Sequence, residues 1–582
     1  MPVSSGRLTL AVGRFGGRVA REATLVVLAG LGLSVAFNWP VVRHPRTTVM
    51  SGIGDPLLQA WQLAWTRHFF AGGDFWTANT FYPAKDSFAF SDSLLGYQPL
   101  SFLFGDGQYA AVLRYNVVFV LAFALAFVGG YLLTRQLGGT WQAAAVAGLV
   151  YAWAPWRLAH NAHLNILSTG GIALAFFALA RGHGYSFRFG VRPEWARPRW
   201  AVVGWLVAAW QVTIGFAVGL PFAYVMVLLG LVIVVVNVVR RREFGRRLVA
   251  ANGVGLVVFL VVTYLMTIPY LRVEDRYHFT RTLAELRSFS PSLRSFWTGT
   301  DQSWLWHGGV FDNIAAIPGP FPGEELLFPG LVVALFALLG LVVSAWPVRV
   351  RIGLGVGAAV AIVLTLGTTF FGGNFSYLLL WRYAPGWNAL RTPGRLILWV
   401  TLLLILLAAG AITRLAQLLA ERGRSTTPAW GKRKRGLVAL VLVLPVIGAL
   451  LEAVPDQTYG TTTGIPPDLR TIFTQTNEPL LILPITPLSE FNYMLWSTDG
   501  FPQIANGDST NLSPQYQEIV ANTQTFPDSR SIAELEKFGI RKVVVLRVAA
   551  ASTPYAAALT RPLAGLPATK TETADVVVFT LS

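Results

Sequence analysis

The chain has 582 residues, 54% of them hydrophobic and 13% charged, with 20 Trp, 37 Phe and no Cys. It is more apolar than a soluble domain of ordinary composition, and this reads as a membrane protein. Without Cys there are no disulfides, thiolate nucleophiles or Cys-based zinc sites, and the net charge of +17 falls in short basic clusters between apolar runs, a pattern of membrane topology that points to no nucleic-acid partner.

Residues 1–21 are basic and lead into an apolar run, which reads as an uncleaved signal anchor. A helical span needs about 20 apolar residues. Runs of that order lie near 22–39, 110–134, 139–156, 161–181, 200–218, 219–239, 248–270, 326–346, 351–371, 395–418 and 436–454, with only Pro221 interrupting 200–239. The spacing therefore predicts about eleven spans. With a cytoplasmic N-terminus, the inner loops 135–139, 181–199, 240–247, 349–351 and 414–435 all carry Arg or Lys, the last ending in Lys432-Arg433-Lys434-Arg435. The odd count places the C-terminus outside.

The expected organisation is a transmembrane domain over 1–454, with large external loops 40–109 and 271–325 and a shorter one at 372–394, followed by a small extracytoplasmic α/β domain over 455–582. In that tail "PLLILPI" (479–485), "RKVVVLRV" (541–548) and "DVVVFTLS" (575–582) have strand character. Ser531 opens a helix with a capping-box pattern and Gly539 closes it. The fold class is thus a polytopic α-helical membrane protein with a soluble α/β appendage, and its polar chemistry falls on the external side.

The first external loop begins "GIGDPLLQAWQLAW" (52–65), where Asp55 precedes Pro56 and then Leu57, Trp61 and Trp65 recur every four residues. Asp55 reads as an N-cap with Pro at the first helical position, on a helix suited to the membrane interface. The same placement suits a general base acting on a hydroxyl at the bilayer edge. Further along are Asp86 and Asp92, set among aromatics that read mostly as an interfacial belt. With Asp55 they are the candidate oxygen ligands for a divalent cation, Mg or Mn; the alternative is that they are ordinary loop acids.

"YAWAPWRLAHNAHLNIL" (151–167) puts Arg157, His160 and His163 at the outer end of a span, the two His three apart and so on one helical face. They are either interface anchors or part of a site. External Arg clusters include Arg272 at 270–296 and Arg391 and Arg395 at 381–399. Guanidinium groups at that face suit a lipid phosphate, and snorkelling accounts for Arg395 equally well. Glu324 and Glu325 precede a span, as a helix cap or as acceptor or metal contacts.

Taken together, "GDPLLQAWQLAW", "FYPAKDSFAFSDSLLGYQPL", "APWRLAHNAHL", "EELLFPGL", "PGWNALRTPGRL" and "YMLWSTDGFPQIANGD" resemble the GT-C superfamily of membrane glycosyltransferases, most closely a bacterial group of YfhO-like multi-span proteins. The resemblance implies a polyprenyl-phosphate-linked sugar donor, a glycan, lipid or protein acceptor on the external face of a bacterial plasma membrane, and an acid of the first external loop as base. That acid maps onto Asp55, which stands alone between Gly54 and Pro56 where other members carry a pair of acids. The expected reaction is a single inverting displacement, with Arg272 and Arg391 stabilising the departing phosphate. A non-catalytic lipid-linked glycan flippase or an envelope scaffold are the competing readings; the lack of repeated halves and the scarcity of charges inside the spans, where Arg114 sits at an edge, disfavour a transporter.

Overall fold

Each apolar run becomes a helix because hydrocarbon leaves the backbone no other way to satisfy its own polar groups. The computed structural model describes residues 6–239, 245–307, 322–424 and 441–582, so parts of the expected inner loops 240–247 and 414–435, of the expected external loop 271–325 and of the expected span 436–454 lie outside the described residues. In order, the apolar helices are Gly6–Phe37, Gln108–Gln136, Trp141–Trp153, Leu164–Gly182, Pro198–Val212, Phe216–Val239, Arg246–Tyr277, Leu331–Val342, Val348–Thr365, Pro393–Glu421 and Val441–Glu452. Among the described residues, 6 are long and apolar enough to cross a membrane by themselves, and Leu331–Val342 and Val441–Glu452 are shorter. The protein is a polytopic helical membrane protein.

The helices pack through small residues, since lipid offers no hydrophobic drive between them and close van der Waals contact must do the work. A Cβ on Gly170 would lie 2.6 Å from the backbone carbon of Leu125, so these two helices meet backbone to backbone. Gly170 also sits just after the segment 155–169, and the close approach sets that segment against one end of the bundle.

The tail forms a four-stranded sheet. Leu480–Leu483 pairs parallel with Lys542–Leu546, which pairs antiparallel with Val576–Leu581, whose other edge is covered by Ala568–Glu572. The three expected strands are therefore present. The helix expected at Ser531 starts earlier: it spans Ser529–Lys537, and the N-cap is Asp528, with Ser531 supplying the other half of the capping box. Gly539 does end it, at φ 74°.

The tail is hydrogen-bonded into the loop 40–109. Thr48–Met50 pairs antiparallel with Tyr459–Thr461. Ile504 N–H donates to Asn79 O (2.8 Å), Tyr82 N–H to Ile504 O (3.0 Å), and Phe81 N–H to Asn506 O (3.1 Å).

The helix Asp55–Trp65 differs from expectation in two ways. Gly54, at φ 157° and ψ −128°, occupies the cap, and Asp55 is the first helical residue. The helix is also buried on every side from Pro56 to Trp65 and does not lie on a surface. Leu57, Ala60 and Leu63 join the transmembrane core, while Leu58, Trp61 and Trp65 pack with Phe75, Phe81 and Phe88 under the tail. These aromatics are core, with Trp61 Nε1 donating to Asn79 Oδ1 (3.0 Å) and Trp65 Nε1 to Phe75 O (3.0 Å). Tertiary burial overrides the interfacial reading because the tail covers the face that sequence alone leaves facing water.

Candidate active site

Asp55 projects from the first turn of its helix into a polar cavity of about 390 Å³, and its side chain is 38% exposed. Four residues on, Gln59 fixes what stands opposite: its Oε1 accepts the Leu164 N–H (2.9 Å) and its Nε2 donates to Asn165 Oδ1 (3.4 Å). That clamp holds His163, the residue before Leu164, with Nε2 3.0 Å from Asp55 Oδ2. His163 Nδ1 is buried and has no hydrogen-bond partner among the described residues. The imidazole thus presents Nε2 to the carboxylate.

Glu324 joins this pair to two more groups. Its Oε1 lies 3.7 Å from His163 Nε2, and its Oε2 lies 3.2 Å from His160 Nε2. Arg395 grips both oxygens, Nη2 at 2.5 Å and Nε at 3.1 Å, in a two-pronged ion pair with side chains 18% and 13% exposed. Burial alone would push the Glu324 carboxyl up, but the Arg395 charge, the His160 hydrogen bond and His163 outweigh it and hold it well below the usual carboxylate range. Asp55, His163, Glu324, His160 and Arg395 form one cluster of polar side chains in contact, of which Asp55, His163, Glu324 and Arg395 line the cavity.

The expected helical face carrying His160 and His163 is absent. The chain breaks between Pro155–Ala159 and Leu164–Leu167, and the two rings still meet, with centroids 5.8 Å apart. Arg157 stands apart from the cavity. It is fully buried and donates to Ala152 O (2.8 Å), Leu167 O (2.7 Å) and Thr169 Oγ1 (3.0 Å), so it braces the break. A guanidinium satisfied in this way is a structural strut.

Asp92 lines the cavity, but its oxygens are already engaged. Oδ1 accepts the N–H of Phe216 (2.6 Å) and Ala217 (3.3 Å), which caps the helix Phe216–Val239, and Oδ2 accepts from Asn165 (2.6 Å). Asp86 does not line the cavity. It is buried between Arg276 (2.6 Å) and Arg272 (3.2 Å). Arg272, expected beside a phosphate, is therefore paired with Asp86 away from Asp55. The trio Asp55, Asp86 and Asp92 is not assembled as a cation site, and among the described residues no group of three or more His, Asp or Glu is arranged to hold a metal. Arg391 does reach the cavity, with Nη1 3.1 Å from Glu285 and its guanidinium 5.1 Å over the Phe289 ring.

A second cavity, of about 840 Å³, is almost wholly apolar. Leu396, Trp387, His183, Tyr185, Phe176, Leu229 and Leu403 are among its lining residues. Pro221 and Leu396 line both cavities, so the polar chamber and the apolar channel adjoin.

No protein-family model and no curated protein matches the sequence. The fold is similar to the crystal structure of an Archaeoglobus fulgidus oligosaccharyltransferase tethered to an acceptor peptide, with 13% identity and a TM-score of 0.49 over 90% of this chain and 69% of that one. A structure of the oligosaccharyltransferase AglB from the same organism with an inhibitory peptide and a dolichol-phosphate gives 14% identity and a TM-score of 0.41 over 90% and 69%. ArnT from Cupriavidus metallidurans, in the apo state, gives 16% and 0.35 over 97% and 98%. Two of these three neighbours are oligosaccharyltransferases.

Proposed function

We propose that the protein is a membrane glycosyltransferase that moves a sugar from a polyprenyl-phosphate donor to a glycan, lipid or protein acceptor on the external face of a bacterial plasma membrane, with the N-terminus in the cytoplasm. The observation that supports this reading is that the two cavities adjoin: an apolar cavity suited to a lipid tail shares Pro221 and Leu396 with a chamber lined by Arg395, Arg391 and Asp55. An amphiphile with an anionic head is the ligand such a pair of spaces suits.

The chemistry follows from the polarity of the chamber. Asp55 Oδ2 faces His163 Nε2 at 3.0 Å, which leaves Oδ1 to take the proton of an acceptor hydroxyl. The hydroxyl oxygen bonds to the anomeric carbon as the bond from that carbon to the phosphate oxygen breaks, and its electron pair leaves with the lipid phosphate, giving inversion. Arg395 and Arg391, fixed by Glu324 and Glu285, face the growing charge. Arg391 keeps the role expected of it, and Arg395 takes the one expected of Arg272.

The test is mass spectrometry of lipid-linked sugars and envelope glycans from a deletion strain carrying wild type or Asp55→Asn. Gly54 is the cap, so this variant keeps the helix start. Loss of a general base lowers the rate by about 10²–10⁴-fold, and the expected result is accumulated donor and a glycan short of one sugar. Full restoration by the variant, at equal membrane level, would return the weight to a flippase or scaffold.

A further inference from the structure

The outer wall of the reaction chamber is made by the tail. Asp508, Ser509, Thr510 and Asn511 line the same cavity as Asp55, although 453 residues separate the two acids (508 − 55). This segment is built in. Asn506 pairs with the strand residue Ile482 through both its amide atoms (2.7 and 2.9 Å). Gly507 N–H donates to Glu490 Oε2 (2.7 Å), and a Cβ on Gly507 would lie 2.7 Å from the Phe81 ring. At the other end, Arg281 donates to Asn511 Oδ1 (2.8 Å) and Asn511 Nδ2 to Phe90 O (3.2 Å). Both ends are tied, so the short span between them holds its position over Asp55.

The two sides of the chamber differ in chemistry. The side formed by the segment before the late span brings Arg391 and Arg395. The tail brings an acid, two hydroxyls and an amide; Arg281, which also lines the cavity, is engaged by Glu285, Thr510 O and Asn511, and among the described residues no Arg or Lys pairs with Asp508. An unpaired carboxylate next to hydroxyls repels a phosphate and accepts hydrogen bonds from hydroxyl groups. Burial pushes the Asp508 carboxyl up to about 6 against the Ser509 N–H, and the charge of Asp55 adds to the rise. The two acids therefore sense one another across the same space.

We propose that Asp508 binds the acceptor: it takes a hydrogen bond from a second hydroxyl of an uncharged, polyhydroxylated acceptor and so sets the reacting hydroxyl against Asp55, with Ser509 and Thr510 extending the same wall. The proposal rests on the glycosyltransferase reading above. It makes the chamber a joint product of the membrane helices and the tail, with the anionic donor on one side and the neutral acceptor on the other.

The experiment uses the deletion strain as its own reagent: its lipid extract, rich in untransferred donor, and its under-glycosylated envelope are mixed with purified full-length protein, and each is titrated separately. Asp508→Asn is expected to raise the amount of envelope needed for half-maximal transfer by about ten- to a hundredfold, the worth of a hydrogen bond to a charged group, with the lipid-extract titration unmoved; Asp508→Glu recovers part of the loss. A shift in the lipid-extract titration alone, or in neither, overturns the acceptor role of Asp508 and leaves the base assignment standing. No transfer by wild type overturns the glycosyltransferase reading, and this one with it. Because the chain has no Cys, Asp508→Cys supplies a single thiol for a second measurement that needs no turnover. Envelope should slow its alkylation by a maleimide at least several-fold while lipid extract does not, and equal alkylation rates with and without envelope overturn the proposal.

Discussion

Asp92 shows how a loop acid acquires a fixed duty. Its carboxylate caps a helix more than a hundred residues away in sequence, and Gly215 leaves the room for it, since a Cβ there would lie 2.5 Å from the Asp92 carboxyl carbon. Asp92→Ala should cost about 1 kcal/mol, the usual worth of a capping side chain, and Gly215→Ala should destabilise by displacing the same carboxylate. Thermal unfolding in detergent checks both; an unchanged midpoint for Asp92→Ala would show that the cap contributes nothing. From the sequence, Asp92 and Asp86 look alike, and only their partners separate a helix cap from an ion-paired core acid. Arg157 is the same kind of case: its three acceptors, two of them main-chain carbonyls, exist only once the chain has folded around it.

At the scale of elements, the break between Pro155–Ala159 and Leu164–Leu167 lets two histidines converge on Glu324 from a non-helical backbone. Glu324 was legible as an acid at the head of a span, with cap, acceptor and metal contact all open, whereas its partner Arg395 lies 71 residues further on and the pair becomes visible only in three dimensions. Removing one member of a buried, two-pronged pair leaves the other charge uncompensated, and Glu324→Gln should cost about 3 kcal/mol. The carboxyl is held below its ordinary range in the folded state, so its contribution is present above the ordinary carboxylate pKa and is lost as pH falls through the folded value. The stability gap between wild type and Glu324→Gln should therefore close in acid. Combining Glu324→Gln with Arg395→Gln should destabilise less than the sum of the single changes, and strict additivity would deny the coupling.

Across the whole molecule, the tail and the loop 40–109 are joined by strand pairing and a shared aromatic core, and Glu490 lies beside that junction. Fully buried, it accepts from Asn506 (3.0 Å), Gly507 (2.7 Å) and Tyr516 (2.8 Å). Burial raises its carboxyl to about 8, against the hydrogen bonds from Tyr516, Asn506 and Gly507, with Asp508 adding to the rise. The folded state then holds a proton that the unfolded chain releases near the ordinary carboxylate pKa, so stability is fullest below that value and falls as pH rises toward 8. Hydrogen exchange corrected for the intrinsic rate should show the strand Leu480–Leu483 opening more readily at pH 9 than at pH 6. Glu490→Gln should flatten that dependence; a wild-type profile already flat across this range would refute it.

The sequence alone determined the membrane class, the order of the apolar helices and the strands of the tail, because hydrophobic run length and residue type act locally and each segment carries its own signal. It also brought forward Asp55, His160, His163, Arg391 and Arg395 as polar groups at one face. Tertiary structure decided which of them meet. It sent Arg272 to Asp86, buried Arg157, engaged Asp92 as a cap, joined Glu324 to Arg395 and the two His, added Gln59 and Asp508 to the chamber, and enclosed the Asp55–Trp65 helix that reads as interfacial. The reason is that an ion pair or a cap is a contact between groups far apart along the chain, and no local pattern records its partner.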